Sequence, residues 1–485
     1  VRRSPSRRGS AYALTALLVA GLFFGLFFFY PLARILLRGL DFSALDSSAF
    51  LLTSHSLLFT FYQALLSTLL TLAFGLPAAF LFARFDFRGR GFLRLLTAIP
   101  FMLPTVVVAA GFNAWLGPRG WLNIVLMRLF GLDAPPVAFV GTLGAILAAH
   151  VFYNMTIVIR LVGNVLARLD PRLEQAARSL GADSRQVFWR LTLPLLLPSL
   201  LAASLLVFLF DFTSFGVVLL LGGPQFATLE VEIYLQAIQL FNLPLAVWLS
   251  LIQLLCTLLF SVAYTRLVTR AAVTVQPRPA PAHPPRTFTQ RLFVLTSSFL
   301  LLAFYFLPLA SLPLRSLTRL EADLGQRGQV RYGLTTDYYE ELFVNRRGSI
   351  FYVPPVQALI NSLGYASLTI LLSLGIGFPA AAALARPGRL TRLLDPLLIL
   401  PLGASAVTLG LGYILAFGRF LTSPWLVPLA HTMIALPFVI RTIQPVLASI
   451  PDRLREAAAT LGASPAETRR RVDWPLARRA VLSAG

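Results

Sequence analysis

The chain has 485 residues, 57% of them hydrophobic and only 13% charged, where an ordinary soluble domain carries roughly a quarter charged; a typical soluble enzyme and a disordered chain are both excluded. It contains no lysine, so 41 arginines against 20 acids give the formal net charge of +21; a nucleic-acid protein shares such a charge but not this apolar content, and no nucleic-acid partner is expected. The single cysteine, Cys256, lies in an apolar run and leaves neither a disulfide framework nor a paired-thiol motif within one chain.

A helix needs about 20 mainly apolar residues to cross about 30 Å of hydrocarbon at 1.5 Å per residue. Ten stretches without Asp, Glu, Lys or Arg reach that length: 9–33, 47–83, 95–118, 134–159, 191–229 (broken only by Asp211), 233–265, 292–314, 348–385, 396–418 and 420–440. Each predicts one transmembrane helix with some loop attached. In 47–83 and 348–385, the early Ser, His and Pro residues predict a loop leading into a single helix. The expected fold is an all-α integral membrane protein, a polytopic helical bundle. The basic start, Arg2-Arg3-Ser4-Pro5-Ser6-Arg7-Arg8, precedes an apolar run too long for a signal peptide and without a small-x-small cleavage site, so an uncleaved first helix is expected.

Positive loops stay on the cytoplasmic side. With the N-terminus inside, the inner segments hold 30 arginines against 9 acids and the outer ones 11 against 10, six of the latter arginines in the long 315–347 loop. The basicity is therefore mainly topological, with the lipid bilayer as the partner it addresses. A multi-pass membrane protein with a cytoplasmic N-terminus is expected.

The chain is written twice in the same direction. Pro77-Ala78-Ala79 through Ala83-Arg84 returns 302 positions later as Pro379-Ala380-Ala381 through Ala385-Arg386, and Ile99-Pro100 returns as Leu400-Pro401. Farther on the offset is 281: Ala149-His150 matches Ala430-His431, Arg160 matches Arg441, Gly181-Ala182 matches Gly462-Ala463, and Pro194 matches Pro475. The first half thus carries about twenty extra residues near 116–137, by the change of offset. The expected domains are 1–268, a Pro-rich linker over 269–291 around Gln276 to Pro285, and 292–485. The second copy has only ten residues after Pro475, where the first continues through two more spans. By its own repeat the chain is expected to lack roughly 60–70 residues of about 12 spans.

Two inner loops, about 163–195 and 449–478, are patterned like folded elements. In the first, Asp170-Pro171 starts a helix with Leu173, Ala176, Ala177 and Leu180 as its apolar stripe, Gly181 ends it, and Asp183 with Gln186 is spaced as a capping box for a second helix. In the other, Gly462 terminates, Ser464 caps, Pro465 sits in the first turn and Glu467 at the reciprocal box position. One such loop alone would equally suit amphipathic helices resting on a membrane surface. These residues resemble the EAA motif of binding-protein-dependent ABC importers, a Glu-Ala-Ala, three residues, Gly, nine residues, Ile, one residue, Leu-Pro pattern. The second copy reads Glu456-Ala457-Ala458, Gly462, Val472, Trp474, Pro475; the first reads Gln175-Ala176-Ala177, Gly181, Leu191, Leu193, Pro194, with Glu174 beside the departed glutamate.

That resemblance implies two tandem type I ABC importer transmembrane domains. It implies that Glu174 to Ala177, Gly181, Ala182, Asp183 and Pro194, with Glu456 to Ala458, Gly462, Ala463, Ser464, Glu467 and Pro475, form loops that couple to a dimeric ABC ATPase. The short helices at about Ser184–Arg190 and Pro465–Arg471 would be the coupling helices. It also implies a bacterial-type inner (plasma) membrane location and a soluble or lipid-anchored substrate-binding protein on the outside. Among fused permeases, the run Phe212 to Gln225, then Thr228-Leu229-Glu230 and Ile233-Tyr234, together with Arg119 to Leu122 and Ala149 to Asn154, resembles the thiamine permeases; the ferric-iron permeases are similarly fused.

No nucleotide site is encoded, because a Gly-x-x-x-x-Gly-Lys-Ser/Thr loop needs a lysine. The chain is expected to be no enzyme and to carry no cofactor. Gly375-x-Gly377-x-x-Ala380 lies inside an apolar span and reads as close helix packing by small residues. Asp211, the one acid inside a predicted span, with His150, Asn154 and His431, are pathway candidates; interhelical hydrogen bonding is the alternative for the histidine and asparagine. No cluster has catalytic or metal-ligand spacing. An ion- or proton-coupled secondary transporter is the competing class, since it too uses repeats.

Overall fold

The computed structural model describes residues 7–39, 47–223, 225–271, 282–319, 333–340, 342–345, 353–385, 401 and 405–478. Apart from one two-residue pairing of Thr318–Arg319 with Gly333–Leu334, every regular element among them is helical. In lipid every backbone polar group must be satisfied internally, and helices achieve this. Eight helical stretches are long and apolar enough to cross a membrane, nine if Arg90–Met102 and Thr105–Phe130, bent by 116°, make one span.

The chain divides into two compact units, Ala44–Glu340 and Val1–Ser43 with Glu341–Gly485. The first unit contains α3 (Ser47–Arg84), α4 (Arg90–Ala98), α5 (Thr105–Leu116), α6 (Trp121–Phe130), α7 (Leu143–Arg168), α8 (Pro171–Ser179), α9 (Ser184–Val187), α10 (Leu193–Phe212), α11 (Gly216–Leu221), α12 (Leu229–Tyr234), α13 (Leu243–Ala271), α14 (Phe288–Ser316) and α15 (Asp337–Glu340). Its α3 and α7 pack along their length, α10 lies against both, and α13 lies against α10. Between membrane helices there is little hydrophobic driving force, so close backbone approach and polar bonds hold the packing. Gly75 supplies such an approach: a Cβ there would lie 2.8 Å from that of Val158.

The second unit contains α1 (Arg7–Phe24), α2 (Tyr30–Gly39), α16 (Pro355–Leu384), α17 (Ala406–Phe417), α18 (Leu426–Ser449), α19 (Asp452–Thr460) and α20 (Pro465–Thr468). A Cβ on Gly377 would meet Val439 Cγ1 at 2.6 Å, so α16 and α18 repeat the α3–α7 contact at equivalent residues. The small-residue reading of this stretch holds at Gly377; at Gly375 no neighbouring atom lies within 4 Å of a Cβ. The α1 helix packs on α16, α17 on α2, and the Tyr413 hydroxyl donates to the Phe27 carbonyl at 2.9 Å.

The repeat boundary and the packing boundary differ. The helix that opens the first half, α1, packs with helices of the second copy, while α14, which opens the second half, packs on α5 of the first. Gly111 fits that contact: a Cβ there would lie 2.9 Å from the Pro308 carbonyl oxygen.

Three span expectations need correction. The stretch 95–118 is bent, interrupted after a 3-10 turn at Ile99–Met102, where Pro100 and Pro104 lack donor N–H groups. The stretch 233–265 becomes a long helix only from Leu243; before it, α12 and a π turn at Leu235–Gln239 form a separate buried element that ends at Phe241, whose φ is +53. In 47–83 there is no leading loop, because α3 is helical from Ser47 and its 38 residues reach about 57 Å at 1.5 Å each. Of the expected span 396–418, residues 396–400 and 402–404 lie outside the described residues, and the described part holds the 12-residue α17. The matched Arg386 and Leu400, linker residues 272–281 and about half of the 315–347 loop also lie outside them.

The extra residues of the first copy form α6 and its return. Buried Asn123 ties them together by donating to the Gly117 and Val137 carbonyls at 2.8 and 2.9 Å and accepting from the Val137 N–H at 2.9 Å.

Candidate functional site: two matched loops and a buried polar layer

In the first loop Asp170 accepts the Arg172 N–H at 2.9 Å, and Pro171 opens α8, which carries Glu174, Gln175, Ala176 and Ala177. The helix ends as a Schellman corner: Gly181, at φ +88, donates to Arg178, and Ala182 donates to Ala177, both at 3.0 Å. The second loop repeats these bonds. Gly462, at φ +82, donates to Ala459 and Ala463 to Ala458, again at 3.0 Å. The last alanine of the motif therefore supplies the carbonyl that closes the corner, and glycine supplies the left-handed turn that a Cβ would resist.

Both capping boxes form. Asp183 accepts the Gln186 N–H at 2.6 Å, and Gln186 Oε1 accepts the Asp183 N–H at 3.4 Å. Ser464 Oγ accepts the Glu467 N–H at 3.3 Å, and Glu467 Oε2 accepts the Ser464 N–H at 2.8 Å. Those bonds, with Arg471 nearby, hold the Glu467 carboxyl below its ordinary value.

The short helices expected after the glycines do not stop at Arg190 and Arg471. Each is a single α turn, α9 or α20, that runs through a π turn, Phe188–Thr192 or Arg469–Asp473, into the following helix. Pro194 and Pro475 supply the reason. Neither can donate to the carbonyl four residues back, on Arg190 or Arg471, and the wider π turn relieves the ring at that point.

The apolar stripe expected on α8 does not pack inward. Leu180 is 89% exposed and its counterpart Leu461 88%, while Leu173 and Leu454 are about half exposed. Each corner thus presents a bare leucine beside its glycine.

The braces of the two loops differ, and sequence reading missed both. Glu174 pairs with Arg84 at the end of α3, whereas Gln175 is exposed. At the equivalent position Arg455 reverses the charge, donating to Asp473 at 2.9 Å and to the Leu447 carbonyl at 3.1 Å; the motif glutamate Glu456 is exposed.

Three of the four pathway candidates come together. Asn154 donates to Asp211 Oδ1 at 2.7 Å. His150 Nδ1 lies 3.5 Å from the same oxygen and 2.8 Å from Ser67 Oγ, and its Nε2 lies 2.8 Å from Ser214 Oγ. All three residues are buried, so they serve interhelical bonding whatever else they do. His431, the counterpart of His150, is exposed on α18 and belongs to the other unit. Gln63, Glu230, Glu232 and Gln253 escaped sequence reading, although all are buried in the same unit as Asp211. Gln63 and Gln253 were legible as amides inside otherwise apolar runs, whereas Glu230 and Glu232 fall between predicted spans.

The family described as binding-protein-dependent transport system inner membrane component matches residues 71–273 and 373–484. The chain belongs to that family. Its two matched segments each contain one of the glycine corners, so the internal repeat is a repeat of the family domain. As a transport permease of this family the chain is 30% identical to the thiamine transport system permease protein ThiP of Brucella suis, over 87% of this chain and 74% of that one. It is 36% identical to ThiP of Haemophilus influenzae over 43% and 38% of the respective chains. It is 32% identical to the spermidine/putrescine transport system permease protein PotB of the same species, over 33% and 56%.

Proposed function

We propose that the chain is the membrane-spanning permease subunit of an ATP-driven importer, with a cytoplasmic N-terminus, receiving thiamine from an external binding protein and passing it inward by alternating access. Two Schellman corners with bare leucine tips, at equivalent residues of the two family segments, carry the reading. A short helix clamped between a capping box and a π turn moves with the helix it continues, so a dimeric ATPase gripping both corners can drive the membrane helices between two states. The chain supplies no ATP site; hydrolysis belongs to the partner. The thiamine permeases among the relatives support the cargo, and ferric iron is the second cargo, on the fused architecture.

The test is uptake of labelled thiamine into proteoliposomes holding the chain, its ATPase and its binding protein. Uptake that needs ATP and both partners is expected. Uptake driven by an ion or proton gradient without them would instead establish a secondary transporter.

A further inference from the structure

A layer of buried oxygen acceptors crosses the Ala44–Glu340 unit, and several of them lack donors. Gln63 Nε2 donates to the Asp211 carbonyl at 2.8 Å and to the Thr60 carbonyl at 3.2 Å. Because both partners are carbonyls, the amide orientation is fixed and Gln63 Oε1 is left as an acceptor with no donor. Gln253 repeats the arrangement: its Nε2 donates to Glu230 Oε1 at 3.0 Å, and its own Oε1 receives nothing. Asp211 Oδ2 is the third such oxygen. Ser250, one turn before Gln253, adds a buried hydroxyl without a partner.

These groups are contiguous. The Leu229 N–H donates to Thr60 Oγ1 at 2.9 Å, joining α12 to the turn of α3 that carries Gln63, and Gln63 in turn touches Asp211. Gln63, Asp211, Ser250 and Gln253 are fully buried, and Glu230 is 1% exposed. Asp211, Glu230 and Glu232 are all buried, yet no buried arginine occurs among the described residues and the chain has no lysine. Buried polar atoms are almost always satisfied, and exceptions point to a missing ligand, water or ion. At Gln63 Oε1, Gln253 Oε1 and Asp211 Oδ2 the missing partner is a donor. A resident metal fits poorly: among the described residues no group of three His, Cys, Asp or Glu could hold one, and both His150 nitrogens already face serines. The oxygens also sit on four helices and are strung along a chain of hydrogen bonds.

From this we propose that the layer is a recognition site on the transport path for an organic cation bearing N–H groups, whose donors meet Gln63 Oε1, Gln253 Oε1 and Asp211 Oδ2. The proposal deepens the permease reading and rests on it. It makes Gln63, Asp211 and Gln253 specificity determinants and disfavours an anionic cargo, which would face three buried carboxylates.

The test uses the full chain with its ATPase in lipid nanodiscs. The first readout is the thermal unfolding midpoint of the wild-type complex titrated with thiamine, spermidine, sodium chloride or citrate, since a ligand that binds the folded state raises the midpoint. A concentration-dependent rise with thiamine or spermidine, and none with sodium or citrate, is expected. Asp211→Asn and Gln253→Met should require at least tenfold more cation for the same rise. No rise with either organic cation, an equal rise with sodium or citrate, or variants that titrate like wild type would overturn the site. The wild-type titration decides the matter even if a variant fails to fold. Failure of the ATPase to co-purify with the wild-type chain would instead count against the permease reading.

Discussion

The glycine corners give the sharpest mutational test. At Gly181 and Gly462 a Cβ would meet nothing within 4 Å, so a side chain there disturbs no packing. The backbone, at φ +88 and +82, is left-handed, and holding an L-residue in that conformation costs about 1–2 kcal/mol. That energy shifts a local equilibrium about five- to thirtyfold away from the corner. Valine, being β-branched, belongs at the upper end, whereas asparagine tolerates the region. In proteoliposomes containing the ATPase and binding protein, Gly462→Val should insert and purify like wild type. It should lose about tenfold or more of ATP-driven uptake, while the ATPase hydrolyses without matching transport. Gly462→Asn should stay within about threefold of wild type, and the Gly181 pair should behave alike. If valine and asparagine transport equally, the left-handed corner is not what couples the loops to transport.

Leu180→Asp and Leu461→Asp change fully visible tips, so thermal stability in detergent should hold while ATPase co-purification falls; a stability loss with normal co-purification would refute the docking role. Gly377→Leu drives a side chain into Val439 and should destabilise by about 1–3 kcal/mol, measurable as a lower unfolding midpoint that Val439→Ala partly restores. Glu467 binds Ser464 as a carboxylate, and its folded value is depressed below the ordinary 4.5. Its contribution to the cap is therefore full above that value and is lost as pH falls through the depressed one. The protection of amides over 465–468 against hydrogen exchange, taken relative to the intrinsic rate at each pH, should fall at acid pH in wild type and vary less in Glu467→Gln. Arg84→Glu and Glu174→Arg should each impair coupling, and the double exchange should recover it.

The loops were legible because capping is local. Asp183 with Gln186, and Ser464 with Glu467, satisfy backbone groups three residues away, and Gly181 and Gly462 declare their own φ. The π turns were equally local, signalled by Pro194 and Pro475, but a proline inside a helix reads as a stop until the following helix is seen to continue. The pairing of Arg84 with Glu174 spans 90 residues and left no trace in spacing. Apolar runs located the helices but not their interruptions: Pro100, Pro104 and Phe241 break runs whose hydrophobicity continues. The packing units were hidden for a related reason, since nothing in the sequence of α1 or α14 states which copy it packs against.

The central claim is that both loops grip a nucleotide-hydrolysing partner. In a Cys256→Ser background, Arg185→Cys and Arg470→Cys place one thiol on each loop, at exposed positions. Bifunctional crosslinking in native membranes should join each variant to the same ATPase subunit, with a yield that changes on adding ATP. Adducts with lipid alone, or with no nucleotide-hydrolysing protein from either position, would contradict the account.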